Sequence, residues 1–378
     1  MAHLRPRAIQ SEIEKQLKFW PILTVFGPRQ AGKSTLLREL LFDPVRLTYV
    51  NLERIQAREA ARSNPERLLA QFEQEPIIID EIKAMVDEDR RPGRFILTGS
   101  VQFSKKLGIR ESFTGRAASV RMDSMTLSET SPQKNGLKEI QRYLQHGGMP
   151  DVCFLRDSEQ VRRYWDEWIE TTCYRDLLEI SKGRLNSDIA FRVLELTATL
   201  ERPTAAEMAN KLRTDARRIQ NHLEGLLSLF LIRKWEPVDE GVGKCMYLPF
   251  DCGLASHFGA NLSRLWQVWF AHARVNAARQ AGKKDYPLGF FLTPRGSFAD
   301  FIDSKVVHVF NEEASVQSRL LLRLRALEKN FPAHRIVVYS ATDQSAQKIS
   351  DRVISVPWCE ERVQGRSQFS SQFQHLAN

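Results

Sequence analysis

From about residue 20 to residue 125 the chain alternates short apolar runs with segments long enough for a helix. Ile22-Leu23-Thr24-Val25-Phe26 reads as a strand buried on both faces, and it stops at Gly27. Leu47-Thr48-Tyr49-Val50-Asn51-Leu52, Pro76-Ile77-Ile78-Ile79-Asp80 and Arg94-Phe95-Ile96-Leu97-Thr98 repeat the pattern. Continuous apolar runs separated by crossover-length segments predict a parallel sheet covered by helices. From 126 to about 185 the strand signal ends. Gly147-Gly148-Met149-Pro150 punctuates helices there, and Val161 to Ile180 is helical and rich in aromatics that include Tyr164 and Tyr174. Trp165, Trp168 and Ile169 recur at i, i+3 and i+4, the spacing of a packed helix face rather than a stacking platform. Residues 186–258 read as three short helices and a hairpin. Residues 259–360 return to strands at Leu288–Thr293, Phe298–Ile302, Val306–Phe310, Arg335–Ser340 and Val353–Val356, and Trp266, Trp269 and Phe270 before them read as core. A polar Ser/Gln-rich tail, 361–378, closes the chain.

A length of 378 residues fits two or three domains. With 42% hydrophobic and 27% charged residues, the chain is neither disordered nor collagen-like. No apolar run approaches the ~18 residues of a bilayer span, and the first residues carry no apolar stretch like a secretory signal. A cytoplasmic protein without a membrane partner is expected. Lys plus Arg is 55 and Asp plus Glu 46, so the net charge is 55 − 46 = +9, which favours polyanionic partners. The five cysteines never fall as CxxC, so reduced thiols are expected rather than a disulfide framework or a zinc site. His257 and His272 have no partner at metal-ligand spacing.

Gly27-Pro28-Arg29-Gln30-Ala31-Gly32-Lys33-Ser34 fits GxxxxGK[ST]. It leaves a buried strand and opens the helix that starts Thr35-Leu36-Leu37, the context this motif needs. Its glycines let backbone N–H groups of Gln30, Ala31, Gly32 and their neighbours face a phosphate at a helix N-terminus. Lys33 reaches the β- and γ-phosphates of ATP, and the Ser34 hydroxyl ligates Mg²⁺. Asp80 ends a buried strand, the place from which a carboxylate holds that magnesium through water, and Glu81 is placed to polarise an attacking water. The pair indicates hydrolysis rather than mere retention. Thr98-Gly99-Ser100 ends the next strand. A hydroxyl there senses the γ-phosphate or positions the water, or else caps an ordinary turn.

FGPRQAGKSTLL, IIIDEIK, RRPGRFILTGS, ESFTGRA and GGMPDV together resemble a widespread prokaryotic family of AAA+-type ATPases with a C-terminal domain of unknown function. The resemblance runs from the first motif to about residue 260 and more weakly to about 360. It implies an α/β AAA+ P-loop core (1–125), a helical lid (126–185), a winged helix (186–258) and a restriction-endonuclease-like α/β domain (259–360). It also implies a ring or other homo-oligomer in which Arg116 serves a neighbour's ATP as an arginine finger. The alternative for Arg116 is an ordinary pair with a surface carboxylate. Arg29 is a lesser candidate for nucleotide or inter-subunit contact. Only Ile82 to Gly93 separates Glu81 from the next strand, shorter than in relatives.

A metal-dependent nuclease of that C-terminal fold needs an acidic residue followed by Glu-x-Lys on the next strand. Asp300 or Asp303 meets the first need. The next strand, Val306 to Asn311, has no Glu-x-Lys and puts Phe310 where a carboxylate belongs. Nuclease activity is therefore not expected.

Within 186–258, Thr204 and Glu207 mark a helix start, and a second helix begins near Asp215. That helix carries Arg217, Arg218, Gln220 and Asn221, types suited to phosphate and base-edge contact, with Lys211 and Arg213 just before it. Arg233 and Lys244 would follow the backbone from the hairpin. The unit binds DNA or only packs on its neighbours. The leading expectation is a Mg-ATP-hydrolysing DNA motor that translocates on or remodels duplex or branched DNA. The alternative is an ATP-gated regulatory switch acting on a protein partner.

Overall fold

The computed structural model describes residues 5–40, 48–51, 86–100, 115–131, 137–238, 243–283, 286, 288–303, 305–312, 318–343 and 345–358. Four strands form the N-terminal sheet: β1 (Ile22–Phe26), β2 (Thr48–Asn51), β3 (Phe95–Gly99) and β4 (Ala117–Arg121). Their order is β2-β3-β1-β4 and every pairing is parallel. Ile22, Leu23 and Val25 are fully buried, as a central strand covered on both faces requires. The helix Gln10–Leu17 lays Ile13 against Val25, Leu36 and Leu37. The apolar pattern does not announce β4. It lies at the sheet edge, its Ala117-Ala118-Ser119 run offers little apolar area, and of its residues only Val120 is buried. The strand expected at 76–80 and the tail lie outside the described residues.

Helices follow: Leu127–Thr130, Leu137–His146, Ser158–Ile169 with its π-type continuation Glu170–Asp176, and Leu177–Ser181. Trp165 and Trp168 are buried in edge-to-face contact 5.5 Å apart, a packed helix face as their spacing implies. Ser187–Thr199, Ala205–Leu212 and Ala216–Ser228 are the next three helices. Their starts are set locally, since Thr204 accepts from the Glu207 amide at 3.2 Å and Asp215 from the Arg218 amide at 2.7 Å.

The remaining strands are β5 (Ile232–Pro237), β6 (Met246–Pro249), β7 (Gly289–Leu292), β8 (Phe298–Ile302), β9 (Val306–Asn311), β10 (Arg335–Ser340), β11 (Gln347–Lys348) and β12 (Val353–Pro357). They form one sheet in the order β11-β12-β10-β9-β8-β7-β5-β6. β5 pairs antiparallel with β6 and parallel with β7, through Glu236–Gly289 and Pro237–Phe290. The boundary expected near residue 258 is thus crossed by a continuous sheet. Its faces follow the two-residue period of a strand. Val337 and Tyr339 face the helix Leu262–Gln280, while Ile336 and Val338 face the helix Ser318–Asn330. Trp266 stacks on Phe310 at 5.0 Å and on Phe270 at 4.8 Å, so these aromatics are core. Among the described residues no helix is long and apolar enough to cross a membrane.

Candidate functional site

β1 delivers the chain into the loop Gly27–Gly32, and a helix opens at Lys33–Thr35 and continues with π-type turns through Leu36–Leu40. Gly27 sits where no side chain fits: a Cβ there would lie 1.8 Å from the Met122 carbonyl oxygen. Gly32 caps the helix at φ 88°, a left-handed conformation natural to glycine. Gln30 also takes a positive φ, 60°. Lys33 is buried, and its Nζ donates to the Gly27 and Pro28 carbonyls at 3.0 and 2.7 Å, so the ammonium spans the bend. Ser34 lies in the first helical turn. The arrangement fits a phosphate, with a glycine-permitted bend, a helix N-terminus and an ammonium converging on one place.

The loop is braced from three sides. Gly27 N–H donates to the Gly99 carbonyl at 3.3 Å, which brings the buried Thr98 and Ser100 to the flank of the bend. The helix Ser158–Ile169 reaches the tip: Trp168 Nε1 donates to the Arg29 carbonyl at 3.3 Å and Tyr164 Oη to Gln30 Oε1 at 3.4 Å. Arg29 itself lies 3.6 Å from Asp176, so in this chain it holds the loop to the helical segment. From beneath, the buried Arg7 donates to the Ala31 carbonyl and the Asp123 carbonyl, both at 2.8 Å, and pairs with Glu129 at 3.2 Å. Sequence reasoning misses Arg7. It lies outside every motif, and the only local hint is the capping box of Thr126 and Glu129 that helps anchor it.

Asp123, fully buried just past β4, is a second residue without a sequence signal. Its carboxylate receives Arg121 at 3.0 Å, Arg233 at 2.7 Å and Arg279 at 2.6 Å. Burial alone would raise this carboxyl, yet Arg121, Arg279 and Arg233 hold it well below the usual carboxylate range. Arg233 was expected on a DNA backbone; it is buried on Asp123 and the Phe250 carbonyl instead. One carboxylate thereby joins the N-terminal sheet, the β5–β6 hairpin and the last turn of Leu262–Gln280.

Beside this hub, Ser124, Asp251 and His272 are the residue types of a nucleophilic triad, but the bonds are in the wrong order. Asp251 Oδ2 accepts from Ser124 Oγ at 2.6 Å and from the Gly148 amide at 3.0 Å. His272 lies between Ser124 at 3.3 Å and Tyr143 Oη at 3.1 Å. The carboxylate holds the serine rather than the imidazole, and all three are buried.

Burial, with Arg233 next, pushes His272 down to about 3, and burial pushes His308 down to about 4 against the pull of Asp303. Both rings are neutral in the fold, whereas the unfolded chain takes up protons near pH 6.5. Stability is therefore expected to fall as pH drops from 6.5 toward 4, by up to ~1.4 kcal/mol per pH unit for each histidine. Urea unfolding at pH 7.5, 6 and 5 checks it, and His308→Gln should flatten the slope. Equal free energies at the three pH values would contradict the assignment.

The other expected site residues are dispersed. Arg116 forks onto Asp87 of its own chain at 2.7 and 2.9 Å, and this contact raises its pKa further. The surface-pair alternative is thus the arrangement within this chain. Asp80 and Glu81 lie outside the described residues. Lys211, Arg213, Arg217, Arg218 and Asn221 are exposed on and before the helix Ala216–Ser228. Gln220 is half-buried and accepts from Tyr247 Oη at 3.3 Å, which makes it partly structural. In the C-terminal sheet, Asp300 accepts from Gln267 at 2.7 Å, the Phe310 amide at 2.8 Å and Arg323 at 3.0 Å. Both its oxygens serve the fold.

Residues 20–131, which hold the whole bend, match the AAA domain family. The match is to an AAA domain, and it covers this segment alone. Residues 137–257 match a domain of unknown function, DUF8612, which begins after the AAA domain and ends near the last residue of the helix Cys252–His257. Two proteins described only as uncharacterized, from Mycobacterium bovis and Mycobacterium tuberculosis, are each 24% identical over 247 residues, covering 63% of this chain and 55% of theirs. The chain spans about half the length of these curated relatives. Among solved structures, the Walker-type ATPase of Pyrococcus abyssi is 15% identical and covers 68% of this chain and 99% of its own, with a TM-score of 0.40. The Bacillus subtilis DNA clamp loader delta protein is 14% identical and covers 58% and 88%, with a TM-score of 0.24. The likeness to a P-loop ATPase rests on the match of residues 20–131 and the loop within them, not on these distant structures.

Proposed function

We propose that the protein hydrolyses Mg-ATP and uses the cycle to move on or remodel DNA as a ring or other homo-oligomer in the cytoplasm. The observation that carries the reading is the braced bend of Gly27–Gly32 with Lys33 across it. The N–H groups of Gln30, Ala31 and Gly32 and the Lys33 ammonium would hold the phosphates, and Thr35 would flank them on the first helical turn. Ser34 and Asp80 would hold magnesium, which neutralises charge on the phosphate oxygens. Glu81 would orient the attacking water, with Thr98 or Ser100 fixing it from the flank of the bend. Arg116 would leave Asp87 to serve a neighbouring subunit's ATP.

The DNA element of the proposal rests on the winged-helix reading of 186–258. The exposed Lys211, Arg213, Arg217, Arg218 and Asn221 and the net charge of +9 support it. The C-terminal sheet would serve docking or assembly rather than cleavage, since Asp300 is neutralised by Arg323. A second reading, an ATP-gated switch for a protein partner, draws on the Asp123 hub, which links the AAA sheet to the C-terminal sheet. Phosphate release with and without forked duplex DNA, at low and high salt, separates them. The motor reading expects turnover to rise several-fold with DNA and the rise to vanish with salt. Unchanged turnover and no retention of DNA would favour the switch.

A further inference from the structure

We infer that Arg7 is a positioning residue of the phosphate loop, an inference that rests on the nucleotide-binding reading above. Its guanidinium forks to the Ala31 and Asp123 carbonyls and is itself anchored by Glu129. Glu129 is fixed in turn, since it accepts from the Ala8 amide at 2.7 Å and from the Thr126 amide at 2.7 Å. The fork therefore has one orientation. The Ala31–Gly32 peptide is trans, so its carbonyl and its N–H point in opposite directions. Drawing the Ala31 oxygen down onto Arg7 turns the Gly32 N–H the other way, away from Arg7. Gly32, at φ 88°, has the backbone freedom to rotate that peptide, so something outside it must fix the direction. Released, the same peptide can turn its oxygen into the bend, where it repels a phosphate. Lysine cannot replace the fork, because one ammonium does not span two carbonyls and a carboxylate in a plane.

The experiment compares wild type, Arg7→Lys, Arg7→Met and Lys33→Ala in steady-state ATP hydrolysis and thermal unfolding without nucleotide. A residue that orients a ground-state donor changes KM and spares kcat. Both Arg7 variants are expected to raise KM for ATP roughly tenfold, the scale of a lost buried charged hydrogen bond, with kcat within about twofold. Should Arg7→Met fail to fold, Arg7→Lys keeps the charge and gives the same readout. A lowered melting temperature with unchanged KM would show a merely structural arginine and overturn the inference. Wild type that turns over no ATP overturns the nucleotide reading and this inference together; active wild type with unchanged KM in the variants overturns this inference alone.

Discussion

Asp123→Ala is expected to cost about 3–5 kcal/mol of folding stability, the scale of a buried pair broken from one side. The carboxylate is the shared partner of Arg121, Arg233 and Arg279, whose contacts with it measure 3.0, 2.7 and 2.6 Å. Removing it leaves three guanidiniums close together without the charge that offsets their repulsion. Arg233 is itself buried, so water cannot screen it. Asp123→Asn keeps an acceptor of similar shape but loses the charge, and it should recover only part of the loss. Because the hub joins the two sheets, the variant should also unfold less cooperatively, with separate transitions by far-ultraviolet circular dichroism and tryptophan fluorescence. Urea titrations check both statements. A loss under 1 kcal/mol with a single shared transition would show that the hub is not a structural joint.

Gly27→Ala is expected to disable the loop more severely than Gly32→Ala. At Gly27 the added carbon meets the Met122 carbonyl at 1.8 Å, a backbone atom that cannot swing aside. Relief requires β1 and β4 to separate, which strains the Met122 N–H bond to the Phe26 carbonyl at 2.8 Å. Overpacking of this kind costs about 3 kcal/mol. At Gly32 the nearest atom to an added carbon is Pro150 Cγ at 3.4 Å, so the cost there is conformational, about 1 kcal/mol. Paired melting curves with and without ATP read the difference. Equal destabilisation by the two substitutions would mean that the packing of Met122 on the bend is not what requires glycine.

The bend itself was legible because its chemistry is local. A buried strand, two glycines, a lysine and a helix start all fall within about fifteen residues, and the helices after Thr204 and Asp215 carry their own caps. Arg7 and Asp123 were not legible for the opposite reason. The two stand 116 residues apart along the chain, and a surface arginine and a buried one look alike in sequence. The place of β5 beside β7 likewise depends on a pairing, Glu236 with Gly289, that no local pattern encodes. β4 escaped notice because an edge strand needs little apolar area. Arg233 shows the converse error, since a basic residue on a predicted wing strand reads as a DNA contact until the buried carboxylate beneath it is known.

The central claim is that the bend at Gly27–Gly32, with Lys33 across it, binds a nucleoside triphosphate and supports its cleavage. Release of inorganic phosphate from Mg-ATP, followed for wild type and Lys33→Ala at equal concentration, tests it most directly. The account predicts steady release by wild type and a fall of about 100-fold or more in the variant, the effect of losing one charge-stabilising group in such a site. Equal release by the two proteins, or none by wild type across magnesium concentrations, would contradict it.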